Sequence, residues 1–319
     1  MASILCGVDL GGTKLGIGLV TEGGDILDQG TWHDHVTRRP DDLMDDIALR
    51  VRDLLKRNGF GVGDLRGIGV GTAGHLRFRD GVVITMSNLP GYKGYPIRDR
   101  LAERLGTRIV VDNDANAQAW GEYLHGAGAG FRNMVFMTIS TQIGAGIVLE
   151  GRLLRGMTGT AGEIGHSIVD PSGELLCPCG NRGCLISLAS GVAIPGAVKR
   201  GLLAGTKSDL IDLAGLGSAT LDGEFIARGL ASGDRLCAGV MADFARYIGI
   251  GVYNIFQILN PEAVVLGGGL MNWGAPFLEG IRTTVTGLAR DMMYEEMRIL
   301  PSACAAPGLV GAASLVLGD

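Results

Sequence analysis

ILCGVDLGGTKLGIGLVTEGGDILDQG, residues 4–30, breaks apolar runs with glycine turns: a strand, a Gly-rich loop, a second strand, a turn and a third strand. Residues 134–156, MVFMTISTQIGAGIVLEGRLLRG, repeat the same order of parts. Two unrelated hairpins would be ordinary in an α/β chain, but the matched order points to a duplicated unit. Between the repeats, residues 41–57 place Leu43, Ile47, Val51, Leu54 and Leu55 at helical spacing, with acids early and bases late, as the helix dipole favours. LRGIGVGTAG (65–74) reads as a buried strand entering a loop, residues 97–105 as a short helix, and RIVVDND (108–114) as a strand and its exit. ANAQAWGEYLHG (115–126) reads as an Ala-rich helix and residues 239–258 as a long one. PEAVVLGGGL (261–270) is a strand entering a glycine loop, and GLVGAASLVL (308–317) a final helix. Strands alternating with helices predict an α/β fold, with the change of domain near residues 116–126.

Composition narrows the partners. The chain has 319 residues, enough for two domains, and 54 glycines, over twice the usual share. Glycines at the ends of apolar runs let a strand turn tightly or let backbone approach a ligand. A net charge of −5 with no basic run argues against a nucleic-acid partner, though not against a nucleotide. MASILCGVDLGG has no basic leader, and YIGIGVYNIFQILNP (247–261) falls short of a membrane span, so a cytoplasmic protein is expected.

Four motifs carry chemistry. In Asp9-Leu10-Gly11-Gly12-Thr13-Lys14 an acid ends a strand and a Gly-rich turn offers N–H groups, a hydroxyl and an ammonium to phosphate, with Asp9 on the side of a magnesium ion. It is not a P-loop: Thr-Lys stands where Lys-Thr is needed, and a strand follows instead of a helix. Gly69, Gly71 and Gly74 match GxGxxG, but no helix follows, so a turn lining a pocket is expected rather than a dinucleotide fold. Asp112-Asn113-Asp114 precedes a helix; one of the three suffices for an N-cap, and a carboxylate beside an amide suits holding and deprotonating a hydroxyl. Cys177, Cys179 and Cys184, with His166 eleven residues before the first, form a closed Cys3His set for a structural zinc. Cys6, Cys237 and Cys304 are expected in the core, and His33, His35, His75 and His125 on the surface or in loops.

These motifs together resemble the ROK family of sugar kinases and sugar-responsive repressors. The resemblance runs from Asp9 to the C-terminus and rests on DLGGTK, SNLPGY (87–92), VDNDANAQA (111–119), STQIGAG (140–146), AGEIGH (161–166), CPCGNRGC (177–184), LASG (188–191) and NPEAVVLGGG (260–269). It implies two RNase H-like lobes of the actin-like ATPase fold with a ligand cleft between them. The expected division is 1–117 with about 303–319, against 118–302. It implies an ATP- and magnesium-dependent sugar kinase, as a homodimer or dimer of dimers. By match, Gly11, Gly12, Thr13 and Lys14 are the first phosphate loop, Ser140, Thr141, Gln142 and Gly144 belong to the second, and Gly267, Gly268 and Gly269 lie near the adenosine. Gly74, Asn88, Asn113, Glu163 and His166 are expected around the sugar, and Asp114 is the expected base. Repressors of the family carry a helix-turn-helix before the acidic loop; here that loop starts at residue 9, so none is expected. Two positions depart from the family pattern: Gln142 replaces a glycine, and Ile186 stands where a sugar-binding Glu is usual. They imply a substrate apolar or substituted near Ile186, or else a sugar-binding homologue with little turnover.

Overall fold

The computed structural model describes residues 4–318 apart from 87–88, 90, 213–214, 218 and 291–296. Contacts divide the chain into two compact units. Unit 1 is Met1–Phe136, Gly146–Gly162 and Ser302–Asp319; unit 2 is Met137–Ala145 and Glu163–Pro301.

The described residues open with β1 (Ile4–Leu10), β2 (Leu15–Thr21), β3 (Ile26–Trp32), α1 (Pro40–Arg57), β4 (Leu65–Thr72), β5 (His75–Arg77), β6 (Val82–Thr85), α2 (Ile97–Leu105), β7 (Ile109–Asn113) and α3 (Asp114–His125). They continue with β8 (Met134–Ile139), β9 (Ile143–Leu149), β10 (Arg152–Leu153), α4 (Leu185–Ala189), α5 (Ile194–Leu203), α6 (Gly223–Ser232) and α7 (Arg235–Leu259). The last are β11 (Ala263–Gly267), α8 (Ala275–Ala289), β12 (Arg298–Pro301) and α9 (Pro307–Ser314).

The duplication read in the sequence is present in the strand order. The first sheet runs β3-β2-β1-β4-β7 and the second β10-β9-β8-β11-β12, the same order when strands are counted by appearance. β2–β3 and β9–β10 are antiparallel; β4–β7 and β11–β12 are parallel.

Alternation along β1 fixes the two faces of the first sheet. Cys6, Val8 and Leu10 point to a core shared with Ile47, Val51 and Leu54 of α1 and Leu101 of α2. Leu5 points the other way, into a cluster with Val310 and Ala313 of α9. Burying each such aliphatic side chain contributes roughly 1.5–3 kcal/mol. α1 keeps its acids Asp41 and Asp42 in the first turn and Lys56 and Arg57 in the last.

The glycines of β4 have a different role from the one expected. Gly69 and Gly71 lie inside the strand, not in a turn. A Cβ on Gly69 would stand 1.7 Å from the Ala312 carbonyl, so α9 crosses β4 at backbone distance. Only Gly74 lies beyond the strand, at φ +96°. Gly311 of α9 likewise faces the Ala117 carbonyl, where a Cβ would come within 2.1 Å. α3 packs on α9 at this close seat, and both helices belong to unit 1. α7 is the one helix among the described residues long and apolar enough to cross a membrane; half of its apolar window is buried in the protein.

Candidate functional site

In unit 1, Asp9 is the penultimate residue of β1, and alternation turns it toward α9. A Cβ on Gly308, in the first turn of that helix, would lie 2.6 Å from the Asp9 carboxylate. Burial pushes the Asp9 carboxyl up, and the Lys14 ammonium 3.9 Å away pulls it partly back. A carboxylate so placed is costly without further cationic company, which suits a magnesium–phosphate ligand. Gly11 donates its N–H to the Lys14 carbonyl at 3.0 Å, closing the four-residue turn between β1 and β2.

The Asp112-Asn113-Asp114 run divides its labour. Asp112 is 3% exposed and pairs with Arg155 Nε at 2.7 Å; its other oxygen accepts from the Asn113 N–H and from Asn116 Nδ2. Asn113 is the N-cap of α3: its Oδ1 accepts from the Ala115 N–H at 2.8 Å, and its Nδ2 donates to the Gly74 carbonyl at 3.1 Å. Asp114 is the first helical residue, partly exposed, and also accepts from the Ala115 N–H. The chain thus brings Gly74, Asn113 and Asp114 together. Asn88 lies outside the described residues.

In unit 2, the turn after β8 is pinned from two sides. Ser140 N–H donates to the Gln142 carbonyl at 2.9 Å, while Gly191 and Val192 donate to the Ser140 and Thr141 carbonyls at 2.8 and 3.1 Å. A Cβ on Gly191 would meet the Ser140 carbonyl at 2.9 Å, which explains the glycine of LASG. Gly268, at φ +93°, seats its backbone against Ile139, and Gly269 lies beside Ser140 Oγ. The Gln142 side chain is exposed. Gly165 packs without a side chain on the Ile143 carbonyl, setting the short turn 164–166 against the start of β9, with Glu163 immediately before it.

His166, Cys177, Cys179 and Cys184 offer donor atoms that all lie within 4.8 Å of one another. A tetrahedral zinc with Zn–S about 2.3 Å and Zn–N about 2.0 Å has S–S edges near 3.8 Å and S–N edges near 3.5 Å. The Cys179–Cys184 sulfurs are 3.7 Å apart, and Cys177 Sγ lies 3.4 Å from His166 Nδ1. The donor set therefore fits zinc. Burial pushes the Cys184 thiol up to about 12, and a divalent cation is what makes neighbouring thiolates tolerable there. Ile186 is 4% exposed and packs with Cys177 and Cys184.

Several residues escaped the sequence reading. Arg155 carries no local signal, being 43 residues from its partner. His35 lies in the loop after β3, one of the places expected for it, but it is fully buried there, and its Nε2 lies 2.8 Å from the Gly11 carbonyl. His33 is exposed but bonds the Thr13 carbonyl, and His125 is partly buried against Ser314 Oγ. Cys6, Cys237 and Cys304 are buried as expected.

Residues 5–319 match the ROK family. A glucokinase of Streptomyces coelicolor is 34% identical over 97% of this chain and 96% of its own. A xylose repressor of Bacillus spizizenii is 29% identical over 98% of this chain and 76% of its own. The crystal structure of a ROK glucokinase from Streptomyces griseus, in complex with glucose and AMPPNP, superposes with a TM-score of 0.79 at 30% identity, covering 99% of both chains.

Proposed function

The chain belongs to the ROK family, and from that premise we propose that it is a sugar kinase that moves the γ-phosphoryl group of ATP onto a hydroxyl of a hexose or hexose-like molecule. The observation that carries this reading is the paired turn: each five-stranded sheet has a fixed Gly- or Ser-containing loop between its first two strands, and the first follows Asp9 and ends on Lys14. Turns of this kind present N–H groups and a cation to phosphate oxygens. Gly11–Lys14 serve one phosphate group, Ser140–Gly144 another, and Gly267–Gly269 the adenosine side. Magnesium, held on the Asp9 side, would neutralise charge on the transferring phosphate.

Asp114 is the proposed base, with Asn113, Gly74, Glu163, His166 and Asn88 around the acceptor sugar. In a loose transition state little proton transfer is needed early, so Asp114 chiefly orients the hydroxyl and accepts its proton late. Zinc on His166, Cys177, Cys179 and Cys184 is structural in this reading: four protein donors leave no open position. The fixed Cys177–Cys184 loop supports the turn that carries Glu163. A homodimer belongs to the same reading.

A coupled ADP-release assay with ATP and magnesium, run against hexoses, N-acetylhexosamines, deoxy sugars and cyclitols, tests it. One strong responder is expected, and Asp114→Asn should remove turnover by about 10²-fold or more while nucleotide binding persists. The similarity to a xylose repressor supports a second reading, a sugar-binding regulator. Sugar binding by calorimetry with no sugar-dependent ADP release would favour it.

A further inference from the structure

The segment Trp32–His35 leaves β3 and runs against the first loop of unit 1. His35 is fully buried with Nε2 at 2.8 Å from the Gly11 carbonyl. A carbonyl only accepts, so Nε2 carries the hydrogen. Nδ1 is then a buried acceptor with no donor among the described residues. His33, two residues earlier, reaches the Thr13 carbonyl from its Nδ1 at 3.0 Å. With Lys14 accepting from Gly11, the carbonyls of residues 11, 13 and 14 are all taken by donors of the protein.

A trans peptide is planar, with its C=O and N–H on opposite sides. Holding the Gly11 carbonyl toward His35 therefore turns the Gly12 N–H away from the core. Holding the Thr13 carbonyl toward His33 likewise turns the Lys14 N–H to the side away from His33. Both donors are left free of these contacts for an anion.

The two histidines are themselves held. Asp34, between them, pairs with Arg38 at 2.7 Å and with Arg50 at 3.5 Å. Arg50 also bonds Asp46 at 2.7 Å and lies 4.3 Å over the Trp32 ring. The segment is thus fastened to α1 at Trp32 and Asp34. A buried imidazole with one nitrogen unsatisfied is a poor core residue; what His35 supplies is the donor to Gly11.

We propose that His33 and His35 are positioning residues that clamp the first loop with its N–H groups turned toward the phosphates of the nucleotide, His35 being the stronger of the two. The clamp rests on the reading of Gly11–Lys14 as a phosphate loop.

The test measures AMPPNP–magnesium affinity by calorimetry, and KM for ATP and for the sugar, in His35→Leu, His35→Gln, His33→Ala and Lys14→Ala. Losing one such hydrogen bond corresponds to roughly 3- to 10-fold weaker nucleotide binding in His35→Leu, with a smaller effect in His33→Ala. KM for the sugar should stay level, and His35→Gln, which can still donate, should recover most of the loss. Wild-type affinity in His35→Leu beside a weakened Lys14→Ala overturns the clamp and keeps the phosphate loop; wild-type affinity in both overturns both. A parallel rise in the two KM values would mean general loosening and also overturns it. Should His35→Leu fail to fold, Asp34→Asn frees the same segment from an exposed position, and unchanged affinity in it and in His33→Ala overturns the clamp.

Discussion

Replacing Arg155 by Ala should injure the start of α3 more than its distance in sequence suggests. Asp112 is nearly sealed, its side chain 4% exposed, and Arg155 Nε donates to its Oδ2 at 2.7 Å. Its Oδ1 keeps donors from Asn113 and Asn116. Breaking a buried pair by removing one partner costs about 3–5 kcal/mol, because the surviving charge is left buried. Arg155 is 22% exposed, so water can reach part of the vacated space and the lower end applies. At about 2–4 °C per kcal/mol for a chain of this size, melting should fall by roughly 6–12 °C. Adding Asp112→Asn removes the orphaned charge while keeping an oxygen for both remaining donors. The double variant should therefore melt above Arg155→Ala alone, with a coupling near 2 kcal/mol in a thermal-shift cycle. The same pair should recover nucleotide-independent sugar affinity in parallel, since Asn113 and Asp114 follow Asp112 directly. Additive effects, with coupling under about 0.5 kcal/mol, would refute the view that the ion pair organises this helix start.

Gly191→Ala should push its new methyl to 2.9 Å from the Ser140 carbonyl and displace the second loop; an increase in KM for ATP with little change in melting checks this. About one equivalent of zinc per chain is expected by elemental analysis, and Cys184→Ser should lower both zinc content and melting temperature, while Cys237→Ser leaves the zinc in place. Burial against Gly24 and Ser314 holds the His125 imidazole below its ordinary 6.5. The unfolded chain then binds the extra proton first, so stability should fall as pH drops below 6.5. His125→Gln should flatten that slope in melting curves recorded from pH 7.5 to 5.

The sequence alone determined what depends on near neighbours. Alternating apolar residues around glycine turns at 4–30 and 134–156 define strands and their hairpins whatever lies beyond them, and the matched order forecast two sheets of one topology. Cys177, Cys179 and Cys184 are close in the chain, so their convergence with His166 needs only a tight loop. Tertiary structure decided the rest. The glycines of β4 looked like a ligand turn, but Gly69 is spaced for the α9 backbone, more than 240 residues away in sequence. Asp112, Asn113 and Asp114 are equivalent polar residues on paper. Only the arrival of Arg155 makes the first a buried ion-pair partner, and the helix start makes the second a cap and leaves the third partly exposed. His35 carried no pattern because its partner is a backbone carbonyl, which every residue has; which carbonyl a donor meets is settled by packing, not by side-chain identity.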